Sequence, residues 1–192
     1  VGNIKPEETE PLIATYLGAL PSVNRKETFR DNHIDMRQGD YKNIFSKKLE
    51  TPKASVLVIN NGKCAYTLKN QIMMSMLSQI LNIMYTESVR EKEGGTYGVS
   101  AFGSLTKYPK EKAVLQIYFD TDPAKRAQMN SIVHNELKRI AETGPRPEDF
   151  NKTKENLLKK HAEALQENSY WLNTIDTYYF KKRDDHSAYD AT

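Results

Sequence analysis

Apolar residues recur along this chain with two different spacings, and the change near residue 97 separates a helical region from strands. Residues 68–90 carry them at helical spacing, which predicts the longest helix of the chain. From Tyr97 to Leu105, and again from Ala113 to Phe119, they recur at every second position, which predicts two strands. The segment TKYPKE between these strands predicts the turn of an antiparallel hairpin. The predicted apolar face of the long helix consists of Ile72, Met73, Met76, Leu77, Ile80 and Met84.

Shorter signals predict the remaining elements. The β-branched stretch SVLVI at 55–59 predicts a strand, and Asn60-Asn61-Gly62 predicts a turn directly after it. Caps and stops predict four more helices: one over 6–18, one from Asp122 to Gly144, one from Pro147, and one capped by Ser169. The residues expected to face inward from the last three are Met129, Val133, Leu137 and Ile140, then Leu157, Leu158 and Leu165, then Trp171, Ile175 and Tyr178 or Tyr179.

These elements together predict an α+β fold. Strands and helices are mixed along the chain and an antiparallel hairpin lies at its centre, which favours a two-layer sandwich. We expect one mostly antiparallel mixed sheet with the helices packed on one face. The strands at 55–59, 97–106 and 112–119 should share this sheet. The helix over 68–90 should pack on it through Met73, Leu77, Ile80 and Met84.

Composition narrows the function classes. The 192 residues suffice for one domain with a substantial core, and 38% of them are hydrophobic and 28% charged. No apolar run approaches the roughly 20 residues that span a bilayer, so we expect no membrane partner. The formal net charge is +3, with lysines interspersed among acidic residues. That pattern does not favour nucleic acid as a partner.

The possible metal ligands are few and scattered. Cys64 is the only cysteine, which excludes a disulfide within the chain and a structural zinc site built from several cysteines. The four histidines are His33, His134, His161 and His186, and none has a second histidine at the spacing that places two ligands on one helix face. We therefore expect no metal site carried by this chain alone.

The stretch REKEGGTYG at 90–98 is the main candidate for chemistry. It places Arg90 at the end of the long helix and Tyr97 at the start of the next strand, with Gly94 and Gly95 between them. A helix stop explains this arrangement simply, because a cation at a helix C-terminus is favoured by the helix dipole. The glycines would also let the two side chains converge, and two such donors suit a peptide carbonyl or its oxyanion. On the physics of these residues alone, the simpler interpretation is favoured.

A resemblance changes that weighting. The segment SVREKEGGTYGVSAFGSLTKYPKEKAVLQIYFDTDP resembles the C-terminal half of the pitrilysin or insulinase family of zinc peptidases, the inverzincins. The similarity extends to VGNIKPEETEPLIATYLGALP near the start and to ELKRIAETGPRPEDFNKTKENLLKKH further on. Nearly the whole chain is covered, and the order of these elements is more specific than the arginine and tyrosine alone.

The resemblance implies a function and a set of roles. Members of this family have two similar halves that enclose a peptide-binding chamber, and the N-terminal half carries the zinc ion. By analogy, Arg90 and Tyr97 would reach the substrate backbone and stabilise the tetrahedral intermediate, with Gly94 and Gly95 as the hinge between them. We expect residues 1–192 to form a single C-terminal-half domain, truncated at both ends and inactive as an isolated chain.

The same resemblance defines the partners and leaves two alternatives. The partners it implies are a peptide or unfolded polypeptide substrate and an N-terminal zinc-carrying half, on the same or on a partner chain. One alternative is the equivalent domain of a catalytically inactive relative that acts in assembly or peptide binding. The other is an unrelated α+β interaction module in which Gly94 and Gly95 merely end a helix.

Overall fold

The computed structural model describes residues 2–26, 28–93 and 98–181, except for the side chains of residues 90–93. The chain forms two compact units, one of residues 33–159 and one of residues 1–32 together with 160–192. None of the helices in the described ranges is both long and apolar enough to cross a bilayer. The elements are α1 (Pro6–Tyr16), β1 (Ala54–Lys63), α2 (Leu68–Glu93), β2 (Val99–Thr106), β3 (Lys112–Thr121), a 3-10 turn (Pro123–Lys125), α3 (Arg126–Thr143), α4 (Pro147–Ala164) and α5 (Asn168–Lys181).

The three strands form one antiparallel sheet in the order β1-β3-β2. β3 is central: its Phe119 pairs with Val56 of β1 and with Val99 of β2. The β2–β3 hairpin and the shared sheet confirm the predicted α+β fold. Because β3 lies between the other two, β2 is an edge strand of the described sheet, and its outer edge faces away from β3.

One face of the sheet is covered by α2 and α3. The core on this face is formed by buried side chains of α2, of all three strands and of α3, while the opposite face leaves Leu57, Phe102 and Tyr118 about half exposed or more. α2 and α3 therefore pack on the same face of the sheet, as predicted for the helices of this fold. The fully or nearly buried members of the core are Leu81, Tyr85, Val89, Val99, Ala101, Leu115, Ile117, Phe119, Met129, Ile132 and Val133.

The predicted apolar face of α2 is correct in its second half and wrong in its first. Ile80 and Met84 are buried and Leu77 packs against the core, but Ile72 and Met73 are 47% and 56% exposed. At about 100° per residue, Ile72 lies two and a half turns before Leu81 and thus on the opposite side of the helix. The buried stripe of α2 instead follows Leu81, Tyr85 and Val89.

The predicted turn at Asn60-Asn61-Gly62 is also wrong. These residues continue β1, and they pair with Leu115, Val114 and Ala113 of β3. The pairing with a long neighbouring strand overrides the local preference of Asn and Gly for turns, since each paired residue adds ladder hydrogen bonds.

α3 follows its prediction closely. The Asp122 carboxylate accepts a hydrogen bond of 2.7 Å from the Ala124 N–H, so it caps the 3-10 turn that leads into the helix. Met129 and Val133 are buried, and Leu137 and Ile140 pack against the core. The inward face predicted for this helix is therefore confirmed.

α4 begins at Pro147 as predicted, but its buried residues are different ones. Leu158 is 61% exposed, whereas Asp149 and Thr153 are buried. The first turn of α4 is held by hydrogen bonds from Arg146 to Asp149. A leucine on a helix with this many charged neighbours need not face inward.

The unit formed by the two ends of the chain contains α1 and α5. In α5 the predicted stripe is mostly exposed, since Ile175 and Tyr178 are 40% and 41% exposed and Tyr179 is 66% exposed. In the first turn of α5, the Trp171 Nε1–H donates to the Leu165 carbonyl at 2.8 Å. Tyr170 packs edge-on against the rings of Trp171 and His161.

Candidate functional site

The hinge between α2 and β2 is only partly described. α2 extends to Glu93, which places the backbone of Arg90 in its last turn, and β2 begins at Val99. The Arg90 side chain, Gly94, Gly95 and Tyr97 lie outside the described residues. Their roles therefore stay predictions, but the elements on both sides of the hinge have a defined geometry.

Asn82 joins the two elements that flank the hinge. Its Nδ2 donates to the Ala101 carbonyl at 2.9 Å, and its Oδ1 accepts from the Ala101 N–H at 2.8 Å. The same Nδ2 also donates to the Ser78 carbonyl one turn earlier in α2, at 2.8 Å. The carboxamide thus binds the edge strand in the way that a residue of a neighbouring strand would.

This contact defines the orientation of the β2 backbone. In an antiparallel pair, both main-chain groups of a residue point either to the partner strand or away from it, and the direction alternates along the strand. Asn82 forms hydrogen bonds with both the N–H and the C=O of Ala101, so these two groups point away from β3. By the same alternation, the N–H and C=O groups of Gly103 and Leu105 also point to the outer edge.

α2 lies close against β2 at Gly103. A Cβ atom at this position would collide with the Met74 side chain and would lie 2.9 Å from the Ser78 Oγ. The absence of a side chain therefore allows the helix to lie against the strand. Together with Asn82, this close approach fixes the position of β2 on α2.

A groove runs between α2 and the outer edge of β2. It has a volume of about 390 Å³, and it is lined by residues of both elements and by Tyr66. None of the lining side chains is charged. The buried Nε2 of Gln71, which lines this groove, has no hydrogen-bond partner in the described part of the chain.

A second polar contact holds α2 near its C-terminal end. Arg146 precedes α4, and its Nε and Nη2 donate to the two carboxylate oxygens of Asp149 at 2.6 and 3.1 Å. Its Nη2 also donates to Glu87 of α2 at 2.5 Å. These hydrogen bonds, to Asp149 first and Glu87 second, raise the pKa of the guanidinium above its ordinary value. Asp149 lies in the first turn of α4, where a carboxylate is favoured by the helix dipole.

A neighbouring contact joins α2 to α3. The Ser88 hydroxyl donates to Glu136 at 3.0 Å, and the Arg139 Nε donates to the other oxygen of the same carboxylate at 2.9 Å. Burial, followed by the negative charge of Glu136, raises the pKa of Tyr85. A cavity of about 220 Å³ lies between these groups and Arg146. Acids and bases are paired around it, so these contacts serve to position α2.

The described residues do not fit a zinc ion. They contain no group of three or more His, Cys, Asp or Glu side chains that could hold a metal. His134 is exposed and its Nδ1 lies 2.8 Å from the Asn130 carbonyl, while His161 packs on Tyr170. The zinc that the resemblance implies therefore has no ligand set in these ranges.

Sequence patterns did not single out Asn82, Gly103, Gln71 or Arg146. Asn82 lies within the helix that the apolar spacing predicts, where an asparagine is an ordinary solvent-facing residue. Gly103 gave a weak signal, because a glycine inside a strand often marks a close approach of another element. The sequence GPRPED also places Arg146 three positions before Asp149, a spacing at which a helix start can be bridged by its side chains.

Comparisons with known proteins agree with this architecture. The family model of the peptidase M16 inactive domain matches residues 1–157. A zinc protease PQQL-like protein of Arabidopsis thaliana is 26% identical over 194 aligned residues, which cover 91% of this chain and 20% of that protein. The crystal structure of the periplasmic protease PqqL from Escherichia coli matches with a TM-score of 0.68 and 18% identity, over 93% of this chain and 20% of that one.

The extent of these matches determines what they show. The chain spans about a fifth of the length of each of these two proteins, and the likeness to the solved structure shows a shared fold for this part alone. The family model covers well over half of the chain, and the pitrilysin-type resemblance noted in the sequence is confirmed. The chain belongs to the peptidase M16 inactive-domain family.

Proposed function

We propose that this chain is the non-metal, substrate-binding half of a zinc-dependent peptidase, in which Arg90 and Tyr97 act on the peptide backbone. The observation that carries this proposal is the Asn82–Ala101 contact. It ties α2 to β2 with hydrogen bonds of 2.8 and 2.9 Å, so the helix that carries Arg90 and the strand that follows Tyr97 are held together. Membership of the M16 inactive-domain family supports the same conclusion.

The proposed chemistry is transition-state stabilisation by two donors. Tyr97 donates a hydrogen bond to the oxyanion that develops on the attacked carbonyl, and such a preplaced donor stabilises the transition state more than the ground state. Arg90 binds the neighbouring peptide backbone or orients the phenol, since its guanidinium is planar and permanently charged. Gly94 and Gly95 allow the turn that brings the two side chains together.

The site is completed by a second half. We expect the zinc ion and the general base to be supplied by an N-terminal half, on the same chain or on a partner chain. The substrate is a peptide or an unfolded polypeptide enclosed between the two halves. The contacts of Arg146 and Glu136 would keep the end of α2 in place while this substrate binds.

The decisive experiment is Tyr97→Phe in the intact peptidase. Loss of one preplaced donor should lower kcat by about 10²-fold, with a smaller effect on KM. Arg90→Ala should also raise KM, because it removes contacts already present in the ground state. Tyr16→Phe is the matched control, since Tyr16 is 71% exposed on α1 and should leave kcat unchanged. Melting curves separate catalysis from stability.

Two results would contradict the proposal. Full activity of Tyr97→Phe with an unchanged melting temperature would mean that the hinge only ends a helix. An intact protein whose N-terminal half lacks the H-x-x-E-H zinc motif would instead indicate a catalytically inactive relative that acts in assembly or peptide binding.

A further inference from the structure

Glu87 is an acidic residue of α2 that lies one helical turn before Arg90. Residues three apart on a helix are neighbours on its surface, and opposite charges at this spacing attract each other. The pair is most favourable when the acid precedes the base in the sequence, which is the order found here. A Glu87 carboxylate without another partner would therefore be expected to pair with the Arg90 guanidinium.

The Glu87 carboxylate is held from outside its own helix. The Arg146 Nη2 donates to Glu87 Oε2 at 2.5 Å. Arg146 is itself fixed, because its Nε and Nη2 donate to both carboxylate oxygens of Asp149, a residue that is 3% exposed. A guanidinium already ordered by a buried carboxylate loses little further side-chain freedom when it binds a second acid. Arg146 is therefore well placed to compete for Glu87 against a neighbour on α2.

This competition matters because of the ligand that Arg90 has to bind. A peptide carbonyl is neutral, and it is a weaker acceptor for a guanidinium than a carboxylate is. An arginine that is paired with an acid on its own helix must release that acid before it can use the same donors on a substrate. The role proposed for Arg90 therefore requires that Glu87 be kept away from it.

We propose that Arg146 is a positioning residue, which holds Glu87 away from Arg90 and so keeps the Arg90 guanidinium available to the peptide substrate. This inference rests on the proposed function of Arg90. Arg146 acts through Glu87 and needs no contact with the substrate. The side chains of Arg146 and Glu87 are 35% and 49% exposed, so the effect should be modest and sensitive to salt.

The test measures KM, kcat and the melting temperature of the intact peptidase. Arg146→Gln should raise KM about threefold to fivefold at low salt, because the released Glu87 pairs with Arg90, while kcat changes by less than about twofold. The rise in KM should shrink below about twofold near 0.5 M salt. Adding Glu87→Gln to Arg146→Gln should restore KM but not the melting temperature, since Asp149 still lacks its partner. A merely structural role of Arg146 predicts no such separate recovery.

Two further variants retain the hold of residue 146 on Glu87. Asp149→Asn should lower the melting temperature and leave KM unchanged, because the amide oxygen still accepts from Arg146 and Arg146 still binds Glu87. Arg146→Lys should also keep KM, because its ammonium group can still bind Glu87. If Arg146→Gln does not fold, Thr86→Glu replaces it, since Thr86 is exposed and lies four residues before Arg90. Thr86→Glu should raise KM and Thr86→Gln should not.

The outcomes separate this inference from the function on which it rests. An unchanged KM in Arg146→Gln, or a raised KM that Glu87→Gln does not restore, would overturn the inference even where Arg90→Ala raises KM. Equal KM values for Thr86→Glu and Thr86→Gln would overturn it as well. If Arg90→Ala itself leaves KM unchanged, the proposed function of Arg90 is wrong, and the role of Arg146 is wrong with it.

Discussion

The side chain of Asn82 holds both main-chain groups of Ala101, 19 residues further along the chain, with hydrogen bonds of 2.9 and 2.8 Å. This pair connects the longest helix to the edge strand. Asn82 lies about two turns before Arg90 in α2, and Ala101 lies four residues after Tyr97 in the chain. The carboxamide of Asn82 and the close approach at Gly103 therefore both position the two elements that flank the hinge.

Asn82→Ala should destabilise the unit of residues 33–159. It leaves the Ala101 N–H and C=O without their partner in a half-buried position, which costs about 1–3 kcal/mol. Asn82→Asp should cost at least as much, since its carboxylate still accepts from the Ala101 N–H but places an oxygen against the carbonyls of Ala101 and Ser78. Denaturant unfolding measures both. Asn156→Ala is the matched control, because the Asn156 amide donates to Gln79 on the exposed surface, and its cost should stay below about 0.5 kcal/mol.

Gly103→Ala should destabilise the packing of α2 on β2. The new Cβ collides with the Met74 side chain, and such overpacking costs about 1–3 kcal/mol. In the double variant with Met74→Ala, much of this cost should disappear, which gives a coupling on the order of 1 kcal/mol in a double-mutant cycle. Gly62→Ala is the control, since no heavy atom lies within 4 Å of a Cβ at that position of β1. Simple additivity of Gly103→Ala and Met74→Ala would contradict this explanation.

Asp120 should give the sheet an acid-sensitive contribution to stability. Hydrogen bonds from Lys53, Ser55 and Tyr118, at 2.8, 2.6 and 2.7 Å, lower the pKa of its carboxyl from 3.8 to about 2. A lowered folded-state pKa means that the contribution is complete above about pH 4 and is lost as pH falls toward about 2. The carboxylate side chain is 35% exposed, so the contribution should not exceed about 1 kcal/mol.

Asp120→Asn measures this contribution. Its free energy of unfolding should fall below that of the unaltered chain at pH 7 and approach it near pH 2. Ser55→Ala should reproduce part of the effect, because it removes only one of the three donors. A difference between Asp120→Asn and the unaltered chain that stays constant from pH 7 to pH 2 would show that the charge of Asp120 is not responsible.

The isolated chain should bind no zinc tightly and should cleave no peptide. The described residues hold no cluster of metal ligands, and the histidines of the sequence are widely separated. Metal analysis after dialysis and a fluorogenic peptide assay test both statements. Stoichiometric zinc, or hydrolysis that a chelator abolishes, would contradict them. Addition of the N-terminal half should restore activity where the two halves associate.

The sequence by itself determined the class of fold and the family. The switch in apolar spacing from helical at 68–90 to alternating after Tyr97 predicted α2, β2 and β3, and the elements appear at those positions. The spacing of apolar residues predicts these elements because a helix or strand that buries one face needs apolar residues at that spacing, whichever element covers the face. The arginine, glycine pair and tyrosine in register identified the resemblance that the family model bears out.

Only the tertiary structure decided which residues make the contacts between elements. Asn60-Asn61-Gly62 favours a turn by local preference. It continues β1 instead, because it pairs with the ten-residue strand β3. Ile72 and Met73 are apolar and helical, yet they face away from the core because α2 meets it through Leu81 and its neighbours. No local sequence pattern predicts the contact of Asn82, because the partner of its carboxamide depends on how β2, 19 residues further along the chain, packs on the helix.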